Sequence, residues 1–143
     1  MNIEVNSFEL LTLEVFRNFH FLSRRLGYKL NVGDYGKEIC ISYTSARFKR
    51  KVLFVMELQL EKKCEFYIVV YNEWFTLKRR TFNVKQLIMS EYPYMVIPNT
   101  INQENLGATL KIYSDFMQQH LYSILSGKEW IGEYAGLIQK DNA

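Results

Sequence analysis

The feature that most constrains this chain is a period-two alternation running from Val52 to Phe82 and broken only by two short polar stretches. In VLFVMELQL, residues Val52, Phe54, Met56, Leu58 and Leu60 share one parity, and in CEFYIVVY so do Cys64, Phe66, Ile68 and Val70. WFTLKRRTF then follows. Successive side chains of a strand point to opposite faces, so this pattern describes consecutive half-buried strands and not a helix. The breaks, Glu61-Lys62-Lys63 and Asn72-Glu73, have hairpin-loop lengths, although the second lacks the glycine that such turns favour.

Those loop lengths predict a register. A two-residue turn at Asn72-Glu73 sets Tyr71 opposite Trp74, Val69 opposite Thr76, Tyr67 opposite Lys78 and Glu65 opposite Arg80. The three-residue turn sets Val55 opposite Val69 and Glu57 opposite Tyr67. One face of the sheet is then apolar, with Val52, Phe54, Met56, Leu58, Cys64, Phe66, Ile68, Val70, Phe75 and Leu77. The other is graded, apolar around Leu53, Tyr71 and Trp74 and charge-matched around Glu65 and Arg80. By the same parity Cys40 and Cys64 lie on opposite faces of non-adjacent strands, which argues against a disulfide.

Around the meander the period changes. Leu11, Val15, Phe19, Leu22 and Leu26 trace a helical stripe from about Ser7 to Leu26, ended by Gly27, with Arg24 and Arg25 at the negative end of the dipole. Residues 27–36 read as a loop, and Ile39, Ile41 and Tyr43 as a first strand. Asn83 can cap a short helix to Glu91, broken by Tyr92-Pro93-Tyr94, with a loop through Pro98. Thr100 and Gln103 have capping-box spacing, and Leu106, Leu110, Tyr113, Met117, Leu121 and Ile124 form a second long stripe ending at Gly127. Trp130, Ile131, Tyr134, Leu137 and Ile138 make the tail apolar enough to dock. The expected fold is one α+β domain over 1–143: a four-stranded antiparallel meander sheet with a long N-terminal and a long C-terminal helix packed on one face, in α-β-β-β-β-α-α order.

The residues offer little chemistry. With 18 basic and 15 acidic side chains the net charge is only +3, too small to imply a polyanionic partner. Two cysteines with the distant His20 and His120 make no zinc site, and no glycine loop cradles a phosphate. Glu57 and Glu65 are better explained as salt-bridge partners than as an acid-base pair, and no nucleophile motif is present. The N-terminus lacks the marks of a signal peptide and no apolar run spans a membrane. The expectation is therefore a cytoplasmic protein with no membrane association, no enzymatic activity, no cofactor and no metal.

What remains is binding. Tyr67, Tyr71, Trp74, Lys78 and Arg80 on the graded face, with Arg47, Lys49 and Arg50 in the SARFKRK loop, are the candidate contact residues. If the tail leaves the apolar half of that face open, it suits a protein partner or a homodimer. The alternative is RNA or another nucleic acid, stacked on the sheet aromatics and held by the basic loop.

Phe19, Leu22, Gly27 and Tyr28, then Ile41-Ser42-Tyr43-Thr44-Ser45, then Leu110, Tyr113, Phe116, Leu121, Ile124, Leu125 and Gly127, form a series of phrases. In them the chain resembles small uncharacterised bacterial α+β proteins that look like toxin-immunity proteins. The resemblance implies a stoichiometric, non-catalytic protein that binds and neutralises a toxin, and it carries over no functional residue. The weakly basic charge departs from the acidic character of inhibitors of nuclease toxins.

Overall fold

The structure is a computed structural model that describes residues 7–34, 38–58, 64–72, 81–98, 101 and 104–130. In chain order it contains α1 (Ser7–Arg24), β1 (Lys29–Asp34), β2 (Glu38–Ser45), β3 (Arg50–Leu58), β4 (Cys64–Asn72), β5 (Thr81–Asn83), α2 (Val84–Glu91), α3 (Leu106–His120) and α4 (Tyr122–Leu125). The class is the expected α+β, but the antiparallel sheet has five strands, ordered β1-β2-β3-β4-β5. No helix among the described residues is long and apolar enough to cross a membrane.

The added strand is β1, in place of the expected loop. Asn31 and Gly33 suggest a turn, yet Leu30 and Val32 alternate and pair with Tyr43 and Ile41, making this an edge strand, where weak propensity is tolerated. The β3–β4 register also differs: Val55 faces Tyr67 and Glu57 faces Glu65, two residues from the expected pairing. The shift is even, so each residue keeps its face.

The β4–β5 pairing overturns the expected hairpin. Tyr71 faces Thr81 and Val69 faces Asn83, in place of Trp74 and Thr76. A two-residue turn at Asn72-Glu73 would need positive φ at residues that resist it. Asn72 instead completes β4, 2% exposed, and Phe82 sets its ring against Val70 in the core. Lys78 and Arg80, with Trp74, Phe75 and Leu77, lie outside the described residues, as do Thr100, Gln103 and the tail beyond Trp130.

The inner sheet face is the core floor: Ile39, Ile41, Tyr43, Val52, Phe54, Met56, Phe66, Ile68, Val70 and Phe82 are all buried. Leu11, Val15, Phe19 and Leu22 of α1 and Leu106, Leu110, Tyr113 and Met117 of α3 pack into the same core, as their stripes predict. Phe54 has no exposed surface, with Phe19 at 4.5 Å and Tyr43 at 5.9 Å between ring centroids. Burying one such ring contributes about 1.5–3 kcal/mol. Trp130 docks on Phe82 at 5.4 Å, so this part of the tail joins the inner face and not the outer one.

Both long helices are interrupted. In α1 Phe19 leaves helical geometry, with φ -116 and ψ 19. There Ser114 Oγ of α3 donates to Asn18 O, a side chain inserted into the backbone ladder. The expected C-terminal helix divides at Leu121, with φ -112 and ψ 7, into α3 and α4. The glycine stops hold, since both residues take the left-handed conformation that ends helices. Gly27, with φ 73, donates to Ser23 O after α1, and Gly127, with φ 79, follows α4. Asn83 caps α2 as predicted, its side chain accepting from Gln86 N.

Gly107, in the first turn of α3, makes room for the side chain of Glu14 from α1. A Cβ there would stand 2.6 Å from Glu14 Oε2, a carboxylate that is 12% exposed and 2.9 Å from Arg17 Nη1. A carboxylate at a helix N-terminus is favoured by the dipole. On helix propensity alone Gly107→Ala would stabilise by about 0.5–1 kcal/mol, and because the atom in the way is the far end of a side chain that can swing aside, the net change should stay within about 0.5 kcal/mol. A larger gain in a Glu14→Ala background, read by urea denaturation of the four members of that cycle, would measure what displacing the carboxylate costs.

Candidate interaction surface

Of the eight residues singled out from sequence, Trp74, Lys78 and Arg80 lie outside the described residues, and the other five do not form one surface. Tyr67 and Tyr71 stand on the outer face of β4, as expected, but each ring is already engaged. Tyr67 Oη donates to Glu57 Oε1 at 3.0 Å, and Lys51 Nζ sits 5.4 Å from the Tyr71 ring centre. Burial, followed by the Glu57 carboxylate and then Glu38, pushes the Tyr67 hydroxyl up to about 12. Arg47 lies over the Phe48 ring at 5.0 Å and is exposed, as is Lys49, which holds positive φ in the β2–β3 turn.

Arg50 requires a correction. Expected as a loop cation available to a partner, it is 3% exposed. Its Nε donates to Ile124 O at 2.8 Å, Nη1 to Phe48 O at 3.1 Å and Nη2 to Glu129 O at 3.0 Å, while the guanidinium lies 5.0 Å from the Trp130 ring centre. It is a clamp inside the fold. Position alone conceals this, because SARFKRK gives each cation the same local context and only the sheet end decides which one turns inward.

Register gives the outer face a polarity that differs from the expected one. Lys51 and Tyr71 lie in the row with Thr44 and Thr81, near the β2–β3 turn that carries Arg47 and Lys49. At the opposite end Glu38 faces Glu57. Like charges directly opposite are unfavourable, and here Tyr67 and Cys40 donate to these two carboxylates. Cys40 Sγ lies 3.3 Å from Glu38 Oε1, and burial, with that bond and the Glu38 charge, pushes the thiol up to about 11.

Cys40 is a free thiol. At about pH 8 it is almost wholly protonated, so alkylation by iodoacetamide in a Cys64→Ser background should run about a hundredfold slower than for an unhindered thiol. Glu38→Gln should recover part of that rate.

A surface that sequence alone does not single out lies at the C-terminal end of α2. Met89 is 61% exposed, Tyr94 78% and Val96 84%. Met89, Pro93, Met95, Val96 and Ile97, with Lys85, line a shallow groove of about 370 Å³. Beside it Leu87, Glu91 and Tyr92 from the end of α2, with Phe116, Gln119, His120 and Leu121 from the end of α3, enclose a cleft of about 240 Å³. Tyr92 Oη is 3.2 Å from His120 Nδ1. The available signal is YPYMVIP, an apolar run held between two prolines, which by itself reads only as a helix break.

The chain matches no family model, no curated protein and no solved structure.

Proposed function

We propose that this chain is a cytoplasmic, non-catalytic protein-interaction module of the immunity-like kind, one that binds and neutralises a partner toxin stoichiometrically. Its contact surface centres on the Met89–Tyr94–Val96 corner. The observation that carries the reading is the exposure of Met89 and Val96, which line one groove, with the exposed Tyr94 close by in the chain, a concentration that marks interfaces on soluble domains. Tyr94 is the residue type that dominates binding energy once an interface buries it.

The outer sheet face supports a nucleic acid less well. Tyr67 is tied to Glu57, and the Glu38–Glu57 pair would repel a phosphate backbone along half of that face.

The test is capture from a lysate of the source cell on immobilised wild type, Met89→Asp and Val96→Asp. Both sites are exposed, so the variants should keep the wild-type Tm. Wild type should retain a protein in stoichiometric amount and each variant at least about tenfold less, the loss expected when an interface anchor is removed. Recovery of RNA in place of protein, with a steep salt dependence, would instead establish the nucleic-acid alternative.

A further inference from the structure

The cleft between the ends of α2 and α3 has one basic side chain, His120, among the described residues that line it. Glu91 contributes a carboxylate at its rim, and no lysine or arginine is found among the described residues that line it. The two helices that form it meet there by their C-termini, α2 ending at Glu91 and α3 at His120. Each helix carries the equivalent of about half a negative charge at that end. The inner wall is aromatic: Tyr92 lies 5.3 Å from Phe116 and 4.7 Å from His120, and Phe116 lies 5.0 Å from His120. Aromatic faces present the negative part of their quadrupole, and cations stack on them.

Carboxylate, two helix C-termini and a ring wall all favour a positive guest, and the rings favour one that is weakly hydrated. We infer that this cleft is a binding site for an organic cation, an alkylammonium or guanidinium group. The cleft encloses about 240 Å³. That is the space of roughly eight waters, enough for such a group and a short stem. In this site the cation approaches the ring wall and its N–H or N–CH₃ edge faces the Glu91 carboxylate, while the stem lies against Leu87 and Leu121. The inference does not rest on the Met89–Val96 corner being a contact surface, since small probes test it with no partner present.

The experiment follows the ring protons of the chain's two histidines by NMR, with a His20→Asn variant assigning His120. Choline, n-butylammonium and n-propylguanidinium are titrated against 3,3-dimethyl-1-butanol, the uncharged counterpart of choline. Amides of lysine and arginine serve as further arms, separating a partner's side chain from a free amine as the natural source.

At least one cation should shift His120 saturably while His20, stacked on Phe16 at 5.3 Å on α1, stays still. The uncharged counterpart should bind about three- to fivefold more weakly than choline. Glu91→Gln, at an exposed position that leaves the fold intact, should weaken the best cation by a similar factor. Tyr92→Leu should weaken choline more than the neutral alcohol. No saturable shift with any cation, equal binding of the neutral counterpart, or indifference to Glu91→Gln would each overturn the inference.

Discussion

Replacing Arg50 with alanine is expected to lower the unfolding free energy by about 3–5 kcal/mol, a large part of what a domain of this size possesses. The last carbonyls of α4 have no partner within the helix. Ile124 O receives Arg50 Nε and Leu125 O receives the Tyr28 hydroxyl. Phe48 O and Glu129 O take the two other ends of the same guanidinium, so one planar fork joins the β2–β3 turn, the end of α4 and the segment leading to Trp130. Burial holds the Arg50 pKa below its usual value, with the guanidinium remaining charged.

Removing the fork takes a donor from the part-buried Phe48 O and Glu129 O and leaves the buried Ile124 O to backbone N–H donors such as Gly127 N, and it takes away the cation over Trp130. A lysine cannot serve three diverging acceptors, so Arg50→Lys should still cost about 2 kcal/mol. Arg47→Ala and Lys49→Ala should stay within about 0.5 kcal/mol of wild type. Urea denaturation decides it: an Arg50→Ala cost below about 1 kcal/mol would show that the carbonyls find other partners.

The same residue shows where legibility ends. Parity is readable in β2, β3 and β4, because a side chain's face depends only on whether a register is odd or even, but in β5 an odd shift turns Phe82, which shares the parity of Trp74 and Arg80, into the core. The inner faces of β2, β3 and β4 are therefore the predicted ones despite a two-residue shift. The helical stripes are readable for a similar reason, as are the stops at Gly27 and Gly127. Absolute register is not, since Asn72-Glu73 looks like a turn by length and only the competition between that turn and burial of Phe82 beside Val70 decides the pairing. Strand β1 escapes because its two apolar residues alternate with Asn31 and Gly33. For the candidate surface, the exposure of Met89, Tyr94 and Val96 is a tertiary fact with no local signature beyond YPYMVIP.

Raising the pH above about 10 should unfold the protein cooperatively, and tyrosine burial is the cause. Tyr28, Tyr43 and Tyr113 are each no more than 3% exposed. Burial pushes the Tyr43 hydroxyl up to about 12 and those of Tyr28 and Tyr113 higher, with the nearby Arg50 charge opposing this at Tyr28. An unfolded tyrosine ionises near 10. Below that pH both states hold these protons, so the phenols leave stability unchanged. Above it the unfolded chain has released protons that the folded chain keeps, so stability falls as pH rises, by up to about 1.4 kcal/mol per pH unit for each buried phenol. Three of them give a slope of about 4 kcal/mol per unit, which exhausts a stability of about 5–15 kcal/mol within a few units, the less stable end of that range by about pH 12. Tyrosinate absorbance and far-ultraviolet circular dichroism, followed together, should show one coincident transition. Tyr43→Phe and Tyr113→Phe should each flatten the slope by about a third when ΔG is measured by urea at several alkaline pH values. Ionisation of these phenols with the dichroism intact would mean that the core admits water at the folded protein's tyrosines, and the packing of Tyr113 against Phe66 and Tyr43 against Phe54 would then be looser than the structure shows.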